Sequence, residues 1–155
     1  MNKHEGLKEE YIEQFNVPNG KGIYSLILEL KKDTDITVGA LGPLTFLEGY
    51  YSYTGSARGT GGFSRVERHL KIASGQKNTR RWHIDYLLPF THPLTVILTC
   101  TDQDLECVIA GTIASRTRTI LGFGCSDCKC SGHLHWNKNV DELISIVKDA
   151  HNNQC

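Results

Sequence analysis

Residues 22–30 read GIYSLILEL, a run of β-branched and large apolar side chains that stops at Lys31-Lys32-Asp33. A short apolar run bounded by a polar stop predicts a buried strand. Working outward, residues 36–41 read as its hairpin partner. The aromatic run Tyr50-Tyr51-Ser52-Tyr53 before Thr54-Gly55 reads as a third strand closing into a Gly-rich loop. Together these predict an antiparallel meander.

After a loop loosened by Gly59, Gly61 and Gly62, the residues Phe63, Val66, Leu70 and Ala73 recur at helical spacing, so a helix is expected over about residues 63–74. Residues 80–88 (RRWHIDYLL) suit a short helix or a strand about equally and are read as a short helix, which Pro89 ends. Residues 94–100 (LTVILTC) predict a strand, and Leu105, Val108, Ile109 and Ile113 a second amphipathic helix, entered through Thr101-Asp102 and containing Glu106. Residues 122–132 read as loop and 133–136 as an edge strand. Asn139 and Glu142 make a capping-box-like start to a final helix over about 140–151, with the tail from His151 to Cys155 expected to fray. The whole predicts a single α/β (α+β) domain over residues 1–155, with its core at about 21–138. Its sheet is mainly antiparallel, of three to five strands, and flanked by helices.

A chain of 155 residues with 39% hydrophobic content can bury roughly two-thirds of its unfolded surface without staples. No apolar run approaches the roughly 20 residues that span a bilayer, and residues 1–13 are charged. A soluble, cytoplasmic protein with no membrane partner is expected. In that setting the six cysteines read as reduced thiols or metal ligands, not disulfides. The net charge is zero but uneven: between Gly49 and Ile84 the bases Arg58, Arg65, Arg68, Lys71, Lys77, Arg80 and Arg81 face one acid, Glu67. If those bases share a surface they can neutralise several phosphates; the alternative is a merely solvated basic helix and loop.

Gly22-Ile23-Tyr24 on one strand and Tyr53-Thr54-Gly55 on another resemble the paired tripeptides of the GIY-YIG nuclease superfamily. The following helix carries Arg65 and His69 on one face, and a later one carries Glu106, so the order Tyr, Tyr, Arg, His, Glu is that superfamily's order. The strings GYYSYTGSA, RVERHL, RWHIDYLL, LEC and GFGCSDCKC look like its Uri-type endonuclease branch. The resemblance implies a Mg²⁺- or Mn²⁺-dependent endonuclease acting on nucleic acid, DNA ahead of RNA, and working beside a repair or other DNA-processing protein. It implies Tyr24, Tyr53, Arg65, His69 and Glu106 as catalytic residues, with Glu106 as metal ligand. Arg58, Arg68, Lys71, Lys77, Arg80 and Arg81 are candidates to bind the nucleic acid.

These residue types suit phosphodiester hydrolysis on chemical grounds. Glu106 is a hard oxygen ligand for a partly hydrated divalent ion. Arg65 offers a planar fork that holds a phosphate bidentately. Tyr24 can act as a base only if its pKa, about 10 when unperturbed, is lowered by a nearby cation. Tyr53 can orient water or phosphate, and His69 can relay a proton.

Cys125, Cys128 and Cys130 followed by His133 cluster soft ligands, and Cys107 can approach them in space, so a structural zinc on Cys107, Cys128, Cys130 and His133 is a further expectation. Of the group Trp82, His83, Asp85 and Tyr86, the sequence favours a core role for Trp82 and Tyr86 and leaves His83 and Asp85 open. Two functional alternatives stand beside the endonuclease: a non-catalytic nucleic-acid-binding module of the same fold, and a zinc-stabilised interaction domain.

Overall fold

In the computed structural model, which describes residues 17–124 and 131–152, GIYSLILEL is the central strand β1 (Gly22–Leu30), buried everywhere but Glu29. Its unbroken apolar character follows from its position, since both its edges are paired and both its faces are covered. β4 (Gly49–Ala57) lies antiparallel on one edge, with Tyr24 opposite Gly55, and β5 (His92–Cys100) lies antiparallel on the other. Beyond β4 come β7 (Leu134–Asn137) and the two-residue β6 (Arg118–Thr119), giving a five-stranded antiparallel sheet in the order β5-β1-β4-β7-β6.

Alternate residues of β1 serve two cores, as strand pleating requires. Tyr24, Leu26 and Leu28 pack with Val66 and Leu70 of α1 (Ser64–Ala73) and with Ile84 and Leu87 of α2 (His83–Leu87). Ile23 and Ile27 pack with Ile109 and Ile113 of α3 (Glu106–Ala114) and with Leu143, Ile146 and Val147 of α4 (Val140–Asn152). The Asn139 side chain accepts from the Glu142 backbone N–H at 3.0 Å, which starts α4 as the capping pattern predicts. Among the described residues no helix is long and apolar enough to cross a membrane.

Four expectations are corrected. The segment at 36–41 is not the partner of β1, because β4 and β5 occupy both edges. Instead β2 (Thr34–Val38) pairs with the unanticipated β3 (Gly42–Phe46) in a separate two-stranded sheet, turning through residues 39–41. Asp33 tethers that hairpin by accepting from the Glu48 N–H at 2.7 Å, and Ile36, Val38 and Phe46 fold onto the Tyr24 core. The aromatic strand continues past Thr54-Gly55 to Ala57. The strand at 134–137 is internal, since β6 lies outside it. Lastly, His151 is not part of a frayed tail: it is buried in the last turn of α4, its ring held by Ser25 at 2.9 Å and Thr99 at 2.7 Å, and residues 153–155 lie outside the described residues.

Candidate active site

The start of β1 and the end of β4 run side by side, and the tripeptide glycines let them do so. A Cβ on Gly22 would collide with the Thr99 carbonyl of β5, and a Cβ on Gly55 would collide with the Tyr24 hydroxyl. Glycine at these two positions is therefore a matter of close approach, and Gly55 lines a cavity of about 360 Å³ at this end of the sheet. Tyr24, Tyr53, Arg65 and Glu106 all line it.

Behind the cavity wall, His69 of α1 meets the Tyr24 hydroxyl through Nε2 at 2.7 Å, with the two rings 5.5 Å apart. Tyr53 stands 6.4 Å from Tyr24 and 6.0 Å from His69, centroid to centroid, closing an aromatic triangle. Burial governs all three groups. It raises the Tyr24 phenol well above its ordinary value, helped by Tyr53 and opposed by Arg65, and raises Tyr53 likewise. It lowers His69 to about 3. The buried Nδ1 of His69 has no hydrogen-bond partner among the described residues.

The arginines of α1 divide. Arg65 donates from Nη1 to the Ser56 carbonyl at 2.7 Å at the cavity edge, keeping further N–H donors for a ligand. Arg68 makes a bidentate pair with Asp85 at 3.0 and 2.9 Å. Asp85 is fully buried and also accepts from the backbone N–H groups of Arg81 and Trp82, at 2.7 and 2.9 Å. Burial alone would raise its carboxyl, but these four hydrogen bonds, Arg68 foremost, hold it below its ordinary value. The pair fixes Trp82 beneath three guanidiniums, those of Arg68, Arg65 and Arg81, at 4.2, 4.9 and 5.6 Å from the ring centroid. Trp82 thus packs on the core, as expected, and also stacks cations at the cavity.

Glu106 and Cys107 open α3. The Glu106 carboxyl is raised by its burial and by Asp104, against the lowering effects of the Ser56 backbone N–H, Arg65 and Arg58. His133, buried just before β7, places Nδ1 3.5 Å from Glu106 and Nε2 3.9 Å from the Cys107 sulfur. Burial lowers the basicity of its ring.

Of the residues expected to bind nucleic acid, Arg81 is exposed and lines the cavity, while Lys71, Lys77 and Arg80 are exposed at or beyond the end of α1. Arg68 is committed to Asp85, and Arg58 donates to the Asp102 carbonyl at 2.9 Å. Cys125, Cys128 and Cys130 lie outside the described residues. Sequence reasoning missed Ser56, Asp104 and the stacking role of Trp82. The first two carry no motif, and the third depends on a fold that brings α1 and α2 together.

The family described as "Domain of unknown function DUF123" matches residues 23–155, and the chain belongs to it. No curated protein and no solved structure matches the chain.

Proposed function

We propose, for this member of the DUF123 family, divalent-metal-dependent hydrolysis of nucleic-acid phosphodiester bonds, with DNA ahead of RNA as substrate. The observation that carries this reading is convergence: Tyr24, Tyr53, Arg65 and Glu106 reach one cavity from four separate elements, with His69 bonded to Tyr24. Their order along the chain, and the strings around them, resemble the Uri-type branch of the GIY-YIG nucleases.

The half-buried Glu106 carboxylate at the cavity is a hard donor suited to a largely hydrated Mg²⁺ or Mn²⁺. When bound, such an ion supplies Lewis-acid stabilisation of phosphoryl charge and an acidified water. The chain's own side chains orient and neutralise. Arg65 holds phosphate oxygens as their charge grows, and its anchor on Ser56 limits the reorganisation required. Tyr53 orients water or phosphate through its hydroxyl. Tyr24 gains basicity only by passing its phenolic proton to His69 at 2.7 Å. An incoming phosphate raises His69 and a cation lowers Tyr24, so both changes favour that transfer.

One observation favours a second reading, a non-catalytic nucleic-acid-binding module. Tyr24, Tyr53 and His69 are packed into one buried triangle, and burial disfavours both ionising the two phenols and charging the imidazole, which works against a base at this position.

The test incubates the purified protein with single-stranded, duplex, nicked, flapped and branched substrates, with and without Mg²⁺ or Mn²⁺. Cleavage that requires metal is expected. Glu106→Gln should abolish it with binding and melting temperature retained, and Arg65→Ala should slow single turnover by roughly a hundredfold or more. Salt-sensitive binding without cutting of any substrate would select the second reading.

A further inference from the structure

Glu106 and Cys107 are consecutive on α3, and consecutive helical side chains diverge by about 100°. A group lying between them can draw both to one ion. The His133 imidazole does, with one nitrogen toward the carboxylate at 3.5 Å and the other toward the sulfur at 3.9 Å. Taking one donor atom from each residue, all three lie within 4.8 Å of one another, and all three residues line the cavity that holds Tyr24 and Arg65.

We propose that Glu106, Cys107 and His133, the three ligands found among the described residues, form one site for a thiophilic divalent cation of the zinc class at the edge of the cavity. This inference rests on the hydrolase reading for its location but replaces the Mg²⁺ or Mn²⁺ of that reading with a different class of ion. The donor chemistry decides that class. Thiolate and imidazole are soft and borderline donors that zinc accepts and Mg²⁺ does not, and zinc sites combine such ligands with a carboxylate oxygen. Charge agrees as well: a carboxylate, a thiolate and a neutral imidazole balance a dication, whereas Glu106 alone leaves one positive charge in a half-buried setting. Tetrahedral ligands at ordinary zinc bond lengths stand roughly 3.3–3.6 Å apart, so closing the trio requires side-chain adjustments of about 1 Å. His133 offers the ion a single nitrogen, and the ring turns toward Cys107 or Glu106 to do so.

The test titrates the metal-free full chain with Co²⁺ as an optical probe, then displaces it with Zn²⁺. The expected result is one Co²⁺ per chain with thiolate-to-cobalt charge-transfer absorption, bleached by Zn²⁺ and unaffected by a large excess of Mg²⁺. Cys107→Ser should remove the band, and His133→Gln and Glu106→Gln should each weaken binding by roughly a hundredfold or more, since even indirect support of a ligand is worth 10–100-fold. A wild-type chain that gives no thiolate band overturns the proposal. So does a band that survives Cys107→Ser unchanged, because the ion is then held elsewhere in the chain. Should Cys107→Ser fail to fold, the wild-type band and the two other variants still decide. Cleavage is read in parallel: a Cys107-dependent band without cleavage upholds this site and defeats the hydrolase reading, while Mg²⁺-dependent cleavage without a band does the reverse.

Discussion

The two faces of β1 and β4 carry neighbouring residues with opposite fates. On one face Tyr24 meets His69, beside Tyr53. On the other, one residue along, Ser25 bonds Thr54 at 2.7 Å and His151 at 2.9 Å, and Thr99 takes the second nitrogen of His151 at 2.7 Å. Each face buries a histidine made weakly basic, about 3 for His69 and about 4 for His151. The His151 network is closed, with both ring nitrogens engaged between the last turn of α4 and the sheet. The His69 network leaves one nitrogen unpartnered among the described residues and adjoins an open cavity edged by Arg65 and Glu106. Burial and a shifted pKa therefore do not mark the site; unbalanced charge and open space beside them do.

The comparison can be broken most forcefully at Asp85. The open face depends on a buried ion pair where the closed face depends on neutral hydrogen bonds. Asp85→Ala should therefore lose about 3–5 kcal/mol of unfolding free energy, because it leaves the Arg68 charge and two backbone donors unpaired. Chemical denaturation measures it, and a loss below about 1 kcal/mol would mean that Asp85 does not organise Trp82 and its arginines.

Matched hydroxyl deletions sharpen the contrast. Tyr24→Phe should slow single-turnover cleavage by roughly a hundredfold or more, and should lose about 1–3 kcal/mol of stability because it leaves buried His69 Nε2 without its partner. Thr54→Val should lose about 1 kcal/mol of stability with the saturated rate unchanged, so the rate and not the stability separates the two faces. Equal rate losses in both variants would merge the two faces into one functional unit.

Acid should act through the buried histidines of both faces. His69, at about 3, and His135 and His151, at about 4, bind fewer protons folded than unfolded, where the value is about 6.5. Their stabilising contribution is thus complete above about pH 6.5 and is lost as pH falls toward 4 and below. Glu106 is raised and carries the opposite sign, so it partly offsets the trend. Denaturant midpoints from pH 7 to 4 should fall. His151→Gln should flatten the slope by about 1.4 kcal/mol per pH unit, one proton's worth. An unchanged slope would mean that His151 takes up its proton in the folded state.

The smallest effect is expected at the exposed rim. Arg80 is exposed and donates to the carbonyl of its neighbour Thr79 at 3.0 Å, so Arg80→Ala should weaken nucleic-acid binding modestly and lower the salt slope by about one. The rate should recover at saturating protein. A rate that stays low would place Arg80 with Arg65 in the charge-stabilising set.

Local patterns were enough to read most of the elements. The apolar run of β1, the helical spacing from Phe63 to Ala73 and the Asn139 cap depend on neighbours in sequence, and each forms its element nearly where expected. The order Tyr24, Tyr53, Arg65, His69, Glu106 was legible too, because motif residues keep their order whatever folds between them. What remained hidden depends on which distant segments meet. An apolar strand says that it is buried but not which strand pairs it, so residues 36–41 were assigned to β1 when β4 and β5 hold both its edges. Likewise a basic helix shows its charges but not their partners. Only the packing of α1 against α2 turned Arg68 inward to Asp85 while Arg65 stayed at the cavity, and only the approach of α3 to the strand end brought Cys107 and Glu106 to His133.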